Sequence, residues 1–346
     1  MTVPVDAWGI QVGYHGVHGQ WLDTSPDTAA ALRAAMGAQP GDEGPPDPWT
    51  VWVVRQGGAD HLIGPVELEL EDGTTFRAEG NLPPDLPLGY HWVQPLWDGR
   101  RAGERTRLIV SPGICHPPPR ERTWGLAAQL YAARSTSSWG VGDLVDLARI
   151  GTWVAARGGG ALMVNPLDAA SPVVPRDPSP YFPSTRRFRD PVYLAIDAVK
   201  GSELAALDDL RRAGVAANSQ PTIDRDAVTR RKMQALERIW RAVPAAGEEP
   251  AFRRFVAEQA SGLTTFATYW LLAERFGSGW SAWPSEYRHP ASSSVRRIAR
   301  EEADRIRFLS WVQWLLDEQL AAAGATAPLV RDLPVGFDPD GSDAWE

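Results

Sequence analysis

The 346-residue chain has a single cysteine, Cys115, so an intramolecular disulfide and a cysteine-built metal cluster are both excluded. Cys115 precedes His116, but neighbours on an extended strand point to opposite faces, which disfavours a thiol–base pair. The six histidines are scattered without an HxxxH or HxH pair, so no protein-built zinc site is expected. No stretch approaches the roughly 18 apolar residues of a membrane span. The opening MTVPVDAWGIQVGYHG lacks the basic and apolar regions of a signal peptide, and a cytoplasmic location is expected. Lys and Arg form no block and the formal net charge is −8, which leaves no electrostatic footprint for nucleic acid. Neither an internal repeat nor a low-complexity tract is present.

Tryptophan, by contrast, is abundant at 16 residues. It combines a large apolar face with one donor, which suits thick cores and carbohydrate grooves alike. Glycine and proline gather at the ends of periodic segments, as in a folded chain. The pattern predicts a helix over 23–37 capped by Ser25 or Asp27. Short β-branched and aromatic strands follow in WTVWVVR, HLIGPVELELEDGTTFRAE, LGYHWVQPLW and RTRLIVSPG, with a hairpin turn at Glu71, Asp72 and Gly73. Residues 1–116 therefore read as a β-sandwich-like domain and 117–123 as an extended proline-rich linker.

Beyond the linker the periodicity changes. Leu144, Leu147, Ile150 and Val154 recur at helical spacing, with Asp143 as cap and Gly158 as stop. ALMVNP (161–166) follows as a buried strand, and helix, glycine turn and apolar strand make the step of an α/β fold. RDPVYLAI (189–196) and PLVRDLPVGF (328–337) read as two further strands. The intervening 202–323 reads as a helical insertion, with Ser202 capping its first helix.

Two motifs invite ligand readings that their register denies. The glycines of RGGGALMVNP precede a strand, whereas a phosphate cradle needs them after it, opening a helix. DPDGSDAWE has Gly341 at the fourth place of the Asp338 register rather than the sixth, and lacks the twelfth-position Glu of a calcium loop. The stiff SPYFPST (179–185) is more informative. Pro180 and Pro183 fix their own φ and restrict Ser179 and Phe182, so Tyr181 is presented by a nearly rigid turn. With Asn165 after one strand and Asp332, Asp338, Asp340 and Asp343 around another, carboxylates, an amide and a tyrosine converge on one mouth. That is a hydrogen-bonding set for sugar hydroxyls.

These segments, together with WGLAAQLYAARS, FATYWLLAERFGSGWSAWP, WVQWLLDEQL and VRDLPVGFDPDGSDAW, resemble in order the amylomaltase family of 4-alpha-glucanotransferases. This is glycoside hydrolase family 77 of the alpha-amylase superfamily. The resemblance covers about 120–346, and GYHG, GYHW and SPGICH are similar to the N-terminal extension of many bacterial members. It implies a (β/α)8 TIM barrel with helical insertions and the transfer of α-1,4-glucan segments between maltooligosaccharides. That reaction is a retaining double displacement between carboxylates roughly 5 Å apart, without metal or cofactor.

By position, Tyr181 matches the family tyrosine beside the scissile bond, and Ser179 and Asn165 match the surrounding pattern. Asp340, with Asp338 next to it, matches a substrate-contacting place. Asp168 stands where many relatives have His. The family's nucleophilic Asp, acid/base Glu and third Asp lie on later strands, so no catalytic carboxylate is expected within this chain. The nucleophile and acid/base are expected beyond residue 346, and 124–346 is expected to be the first part of the catalytic barrel, inactive alone. The rival readings are a non-catalytic maltodextrin-binding module, a pseudoenzyme pairing with a second polypeptide, and a hydrolase of the same superfamily.

Overall fold

A computed structural model describes residues 4–39, 41–42, 44, 51–58, 60–115, 122–243, 246–277 and 279–346. The chain divides into two compact units, Met1–Pro119 and Arg120–Glu346. Most of the linker expected at 117–123, and the Cys115–His116 pair through its histidine, lie outside the described residues.

The first unit opens with a two-stranded antiparallel sheet, β1 (Gly13–His15) and β2 (Trp21–Asp23), followed by helix α1 (Pro26–Ala35). Ser25 caps α1 by accepting the Thr28 amide at 3.1 Å, and Pro26 occupies the first turn, where its missing N–H has no partner to lose. The remaining strands are β3 (Val51–Arg55), β4 (Val66–Glu69), β5 (Thr75–Ala78), β6 (Gly89–Trp97), β7 (Arg100–Arg101) and β8 (Thr106–Ser111). They form one six-stranded sheet of order β3-β8-β6-β4-β5, with β7 on β6. The hairpin turn at 71–73 forms as the sequence predicts, with Gly73 at φ +86°. Inward-facing Val54, Val66, Leu68, Val93, Leu108 and Val110 alternate with outward residues and close a core under Leu62, Leu82 and Leu86. Among the described residues, the unit contains one six-stranded and one two-stranded sheet.

The second unit is built on three parallel strands in the order β11-β10-β9, where β9 is Gly125–Ala128, β10 Ala161–Val164 and β11 Leu329–Arg331. Strand β9 carries no β-branched residue. Its neighbour approaches so closely that a Cβ on Gly125 would lie 2.6 Å from the Ala161 carbonyl. Helix α2 (Leu144–Ala156) joins β9 to β10, with the Asp143 carboxylate accepting from the amides of Val145 and Asp146 in a capping box.

The strand expected at 189–196 does not form; the segment folds as two short 3₁₀ turns, Pro191–Tyr193 and Ile196–Ala198. Asp190 accepts the Val192 amide and Pro191 fixes φ, which starts a turn instead of a ladder. Side chains then take the place of a partner strand. Gln313 bonds both the N–H and the carbonyl of Arg189, and Gln319 does the same for Ala195, at 2.8–3.0 Å. Lys232 Nζ donates to the carbonyls of Val192 and Leu194 at 2.6 and 2.8 Å.

The insertion comprises α3 (Asp208–Ala216), α4 (Arg225–Ala242), α5 (Pro250–Phe276), α6 (Ser293–Glu301) and α7 (Ala303–Gly324), with α8 (Ser342–Trp345) after β11. Ser202 does not cap a helix as expected: it opens a 3₁₀ turn, and α3 begins at Asp208. Helix α5 is broken at Ala260 (φ 49°, ψ −136°). Trp139, Trp270, Trp283, Trp311, Trp314 and Trp345 are all buried, so much of the tryptophan excess is core.

Candidate functional site

Parallel strands leave their carboxyl ends on one side, and the two conspicuous loops of the sequence leave from there. SPYFPST follows β10, and DPDGSDAW follows β11. The two are locked together by backbone bonds. The Asp338 amide donates to the Pro183 carbonyl at 2.9 Å, and the Asp343 amide to the Ser184 carbonyl at 3.0 Å. The Ser342 amide donates to Ser184 Oγ at 2.9 Å, and the Arg186 amide to Asp343 Oδ2 at 2.9 Å. Contact is so close at Gly341 that a Cβ there would lie 2.6 Å from the Ser184 carbonyl oxygen and 2.7 Å from its Cα. Only glycine fits.

On this base the SPYFPST turn presents its aromatics. Ser179 Oγ accepts the Tyr181 amide at 3.2 Å, while its own amide donates to Asp177 Oδ1 at 2.7 Å. Ser179 therefore shapes the turn through its hydroxyl. Tyr181 is 47% exposed and Phe182 44%. Tyr181 Oη donates to Asp332 Oδ2 at 2.9 Å, and that bond raises the phenol pKa by favouring its protonated form.

Asp338 and Asp340 are both half-buried. Asp338 Oδ1 accepts the Asp340 amide at 2.9 Å. Asp340 is held by the insertion: Ser281 Oγ donates to its Oδ1 at 2.6 Å, and Tyr269 Oη to its carbonyl at 2.8 Å. Trp280 Nε1 donates to the preceding Pro339 carbonyl at 3.1 Å. Tyr269 sits against Trp283 and Trp345, and burial pushes its hydroxyl pKa up to about 12.

Asn165 occupies the expected place after β10, but its side chain points into the protein. Its Oδ1 accepts the Leu130 amide at 2.7 Å, and its two amide hydrogens go to the Pro166 carbonyl and Tyr193 Oη. At 3% exposure its carbonyl oxygen and both amide hydrogens are engaged within the protein. It ties the end of β10 to the start of the segment after β9.

Asp168 lies nearby, paired with Arg189. Burial raises its carboxyl pKa to about 6, with Arg189 and Arg331 opposing the shift. Leu167, Asp168, Arg186, Arg189, Arg331 and Asp332 border a polar recess of about 370 Å³, so Asp332 is shared between this recess and Tyr181. Beneath the loop Arg176 and Asp190 form an ion pair in which both side chains are buried, and Thr229 also accepts from Arg176. Among the described residues, no group of three His, Cys, Asp or Glu side chains is arranged to hold a metal ion. Among them, too, no helix is long and apolar enough to cross a membrane.

The sequence singled out Tyr181, Asp338 and Asp340, which the structure brings onto two interlocked segments. It did not single out Ser184, Tyr269, Trp280, Ser281 or Arg189. The one available signal was the tryptophan-rich WSAWP segment, whose contact with Asp340 spans 59 residues of chain.

Residues 128–346 match the sequence model of the family described as 4-alpha-glucanotransferase, glycoside hydrolase family 77. The chain belongs to this family. A 4-alpha-glucanotransferase of Mycobacterium tuberculosis (strain ATCC 25618 / H37Rv) is 38% identical over 328 residues, covering 81% of this chain and 44% of the relative. One from Haemophilus influenzae is 27% identical, covering 77% and 42%. The crystal structure of amylomaltase from Corynebacterium glutamicum superposes with a TM-score of 0.76 at 28% identity, over 98% of this chain and 55% of that one. The 4-alpha-glucanotransferase-family chain thus spans about half the length of the relatives it matches. An amylomaltase from Streptococcus agalactiae in complex with acarbose shares the fold, with a TM-score of 0.55 at 14% identity over 65% of this chain and 46% of that one.

Proposed function

We propose that the chain forms one wall of the substrate cleft of a cytoplasmic 4-alpha-glucanotransferase that exchanges α-1,4-glucan segments between maltooligosaccharides by retaining double displacement. The observation that carries this is the interlock of SPYFPST with DPDGSDAW, which holds Tyr181 and Asp340 at the carboxyl ends of two parallel strands. In this reading the three strands are the first part of a (β/α)8 barrel, and the six-stranded unit is the sandwich-like extension. The Tyr181 ring covers the apolar face of a glucosyl residue, while Asp340 and Asp338 accept from its hydroxyls. Ser179 and Asn165 position these groups from behind. Prior rigidity of the Tyr181 turn reduces the ordering cost of binding.

The bond-making carboxylates in this reading follow residue 346. The experiment is incubation with maltotriose and chromatography of the products, for the 346-residue chain and for a chain extended downstream. Glucose plus longer maltooligosaccharides from the extended chain alone is the expected result. Products limited to glucose and maltose would mean hydrolysis instead. Maltooligosaccharide binding without turnover in both chains would mean a binding module.

A further inference from the structure

The inference concerns Asp340 and rests on the glucan-cleft reading. Its carboxylate has no cationic partner within ion-pair distance among the described residues. Its only side-chain donor there is neutral, the Ser281 hydroxyl on Oδ1 at 2.6 Å. Ser281 is exposed, at the middle of the 3₁₀ turn Trp280–Ala282 that follows α5. Gly279, at φ +91°, has a backbone that only glycine adopts freely, and a Cβ there would come within 3.5 Å of Asp340 Oδ2.

The chemistry of this arrangement is directional. A carboxylate clamped through one oxygen by a hydroxyl keeps its full charge and one free oxygen whose position is fixed. Such a group accepts a hydrogen bond from a ligand hydroxyl without first losing rotamer freedom. A cationic clamp would have neutralised it. The backbone on both sides is also fixed, by Tyr269 on the Asp340 carbonyl and Trp280 on Pro339. All three donors come from the insertion between β10 and β11.

We propose that Ser281 is a positioning residue for glucan recognition, aiming the Asp340 carboxylate at a sugar hydroxyl. The insertion then serves substrate selection as well as core packing. Replacing Ser281 removes one hydrogen bond to a charged group and frees the Asp340 rotamer.

The test is calorimetric titration with maltoheptaose of the wild-type chain, Ser281→Ala, Ser281→Thr, Asp340→Ala and the double variant S281A/D340A, with thermal unfolding midpoints for each. S281A is expected to weaken binding on the order of tenfold at an unchanged midpoint. S281T, which keeps the hydroxyl, restores it. In the D340A background S281A changes affinity by less than about twofold, because the two residues act as one unit. Wild-type affinity in S281A, or an S281A effect that persists undiminished in D340A, overturns the inference and leaves the functional reading standing. Absence of maltoheptaose binding by the wild-type chain overturns that reading and this inference with it.

Discussion

Tyr181 and Asp332, 151 residues apart in the chain, meet through a 2.9 Å hydrogen bond from Tyr181 Oη to Asp332 Oδ2. The bond joins the loop after β10 to the end of β11 and commits the tyrosine hydroxyl while its ring stays exposed. The ring and the hydroxyl therefore have separable roles. Y181F keeps the face and removes the tether, so maltooligosaccharide affinity should fall by no more than about threefold. Y181A removes the face and should weaken binding on the order of tenfold or more. Equal losses in the two variants, by calorimetry with maltoheptaose, would place the recognition in the hydroxyl.

At Gly341 the two motif segments approach too closely for a side chain. A methyl group there meets backbone atoms of Ser184 and Asp338 at 2.6–2.9 Å, and backbone cannot swing aside as a side chain can. G341A should destabilise the second unit by about 1–3 kcal/mol and weaken maltoheptaose binding by displacing the segments that carry Tyr181 and Asp340. Denaturant unfolding followed by tryptophan fluorescence checks the first expectation.

Lys232 is fully buried, yet its ammonium bonds the Val192 and Leu194 carbonyls. Burial pulls its pKa down to about 8, against the pull of Asp143, Asp146, Asp190 and Asp197. K232M removes the charge but leaves two carbonyls unpaired in the interior, and should cost about 1–3 kcal/mol. A neutral or stabilised variant would mean that desolvation of the ammonium outweighs the bonds it makes.

Asp168 gives a pH dependence of defined sign. Its folded pKa of about 6 lies above the ordinary 3.8, so the native state holds the proton more tightly than the unfolded chain. Its contribution is fully present below about pH 4 and is lost as the pH rises through about 6. Asn mimics the protonated form, so D168N should match the wild type near pH 4 and gain on it above pH 6, by at most about 3 kcal/mol. A variant less stable than the wild type at pH 7 would show that the Arg189 pair outweighs the burial.

Legibility in the sequence followed the range of the interactions. Strands β3 to β6 and β8, and helices α1 and α2, were visible because alternation, caps and glycine turns are local signals. Strand β9 was not, because its Gly-Leu-Ala-Ala core is selected by closeness to β10 rather than by strand propensity. The 189–196 segment was misread for the converse reason. It is β-branched and apolar, but its backbone partners are Gln313 and Gln319, 124 residues away. Tyr181 was legible because its prolines are adjacent to it. Asn165 was placed correctly along the chain, but its partners Leu130 and Tyr193 could not be read from its neighbours.

The sequence alone determined the family, the change from strand-rich to helix-rich grammar near the proline run, and the rigid presentation of Tyr181. Each depends on motif order, periodicity or the φ restraint of proline, all of which act within a few residues. Only the tertiary structure decided which polar groups remain free. Tyr181 Oη is committed to Asp332, Asn165 faces inward, and Asp340 is bonded through Oδ1 to Ser281, with no side-chain donor to Oδ2 among the described residues. Hydrogen bonds between segments 28 to 151 residues apart set those outcomes, and no local rule encodes which donor reaches which acceptor.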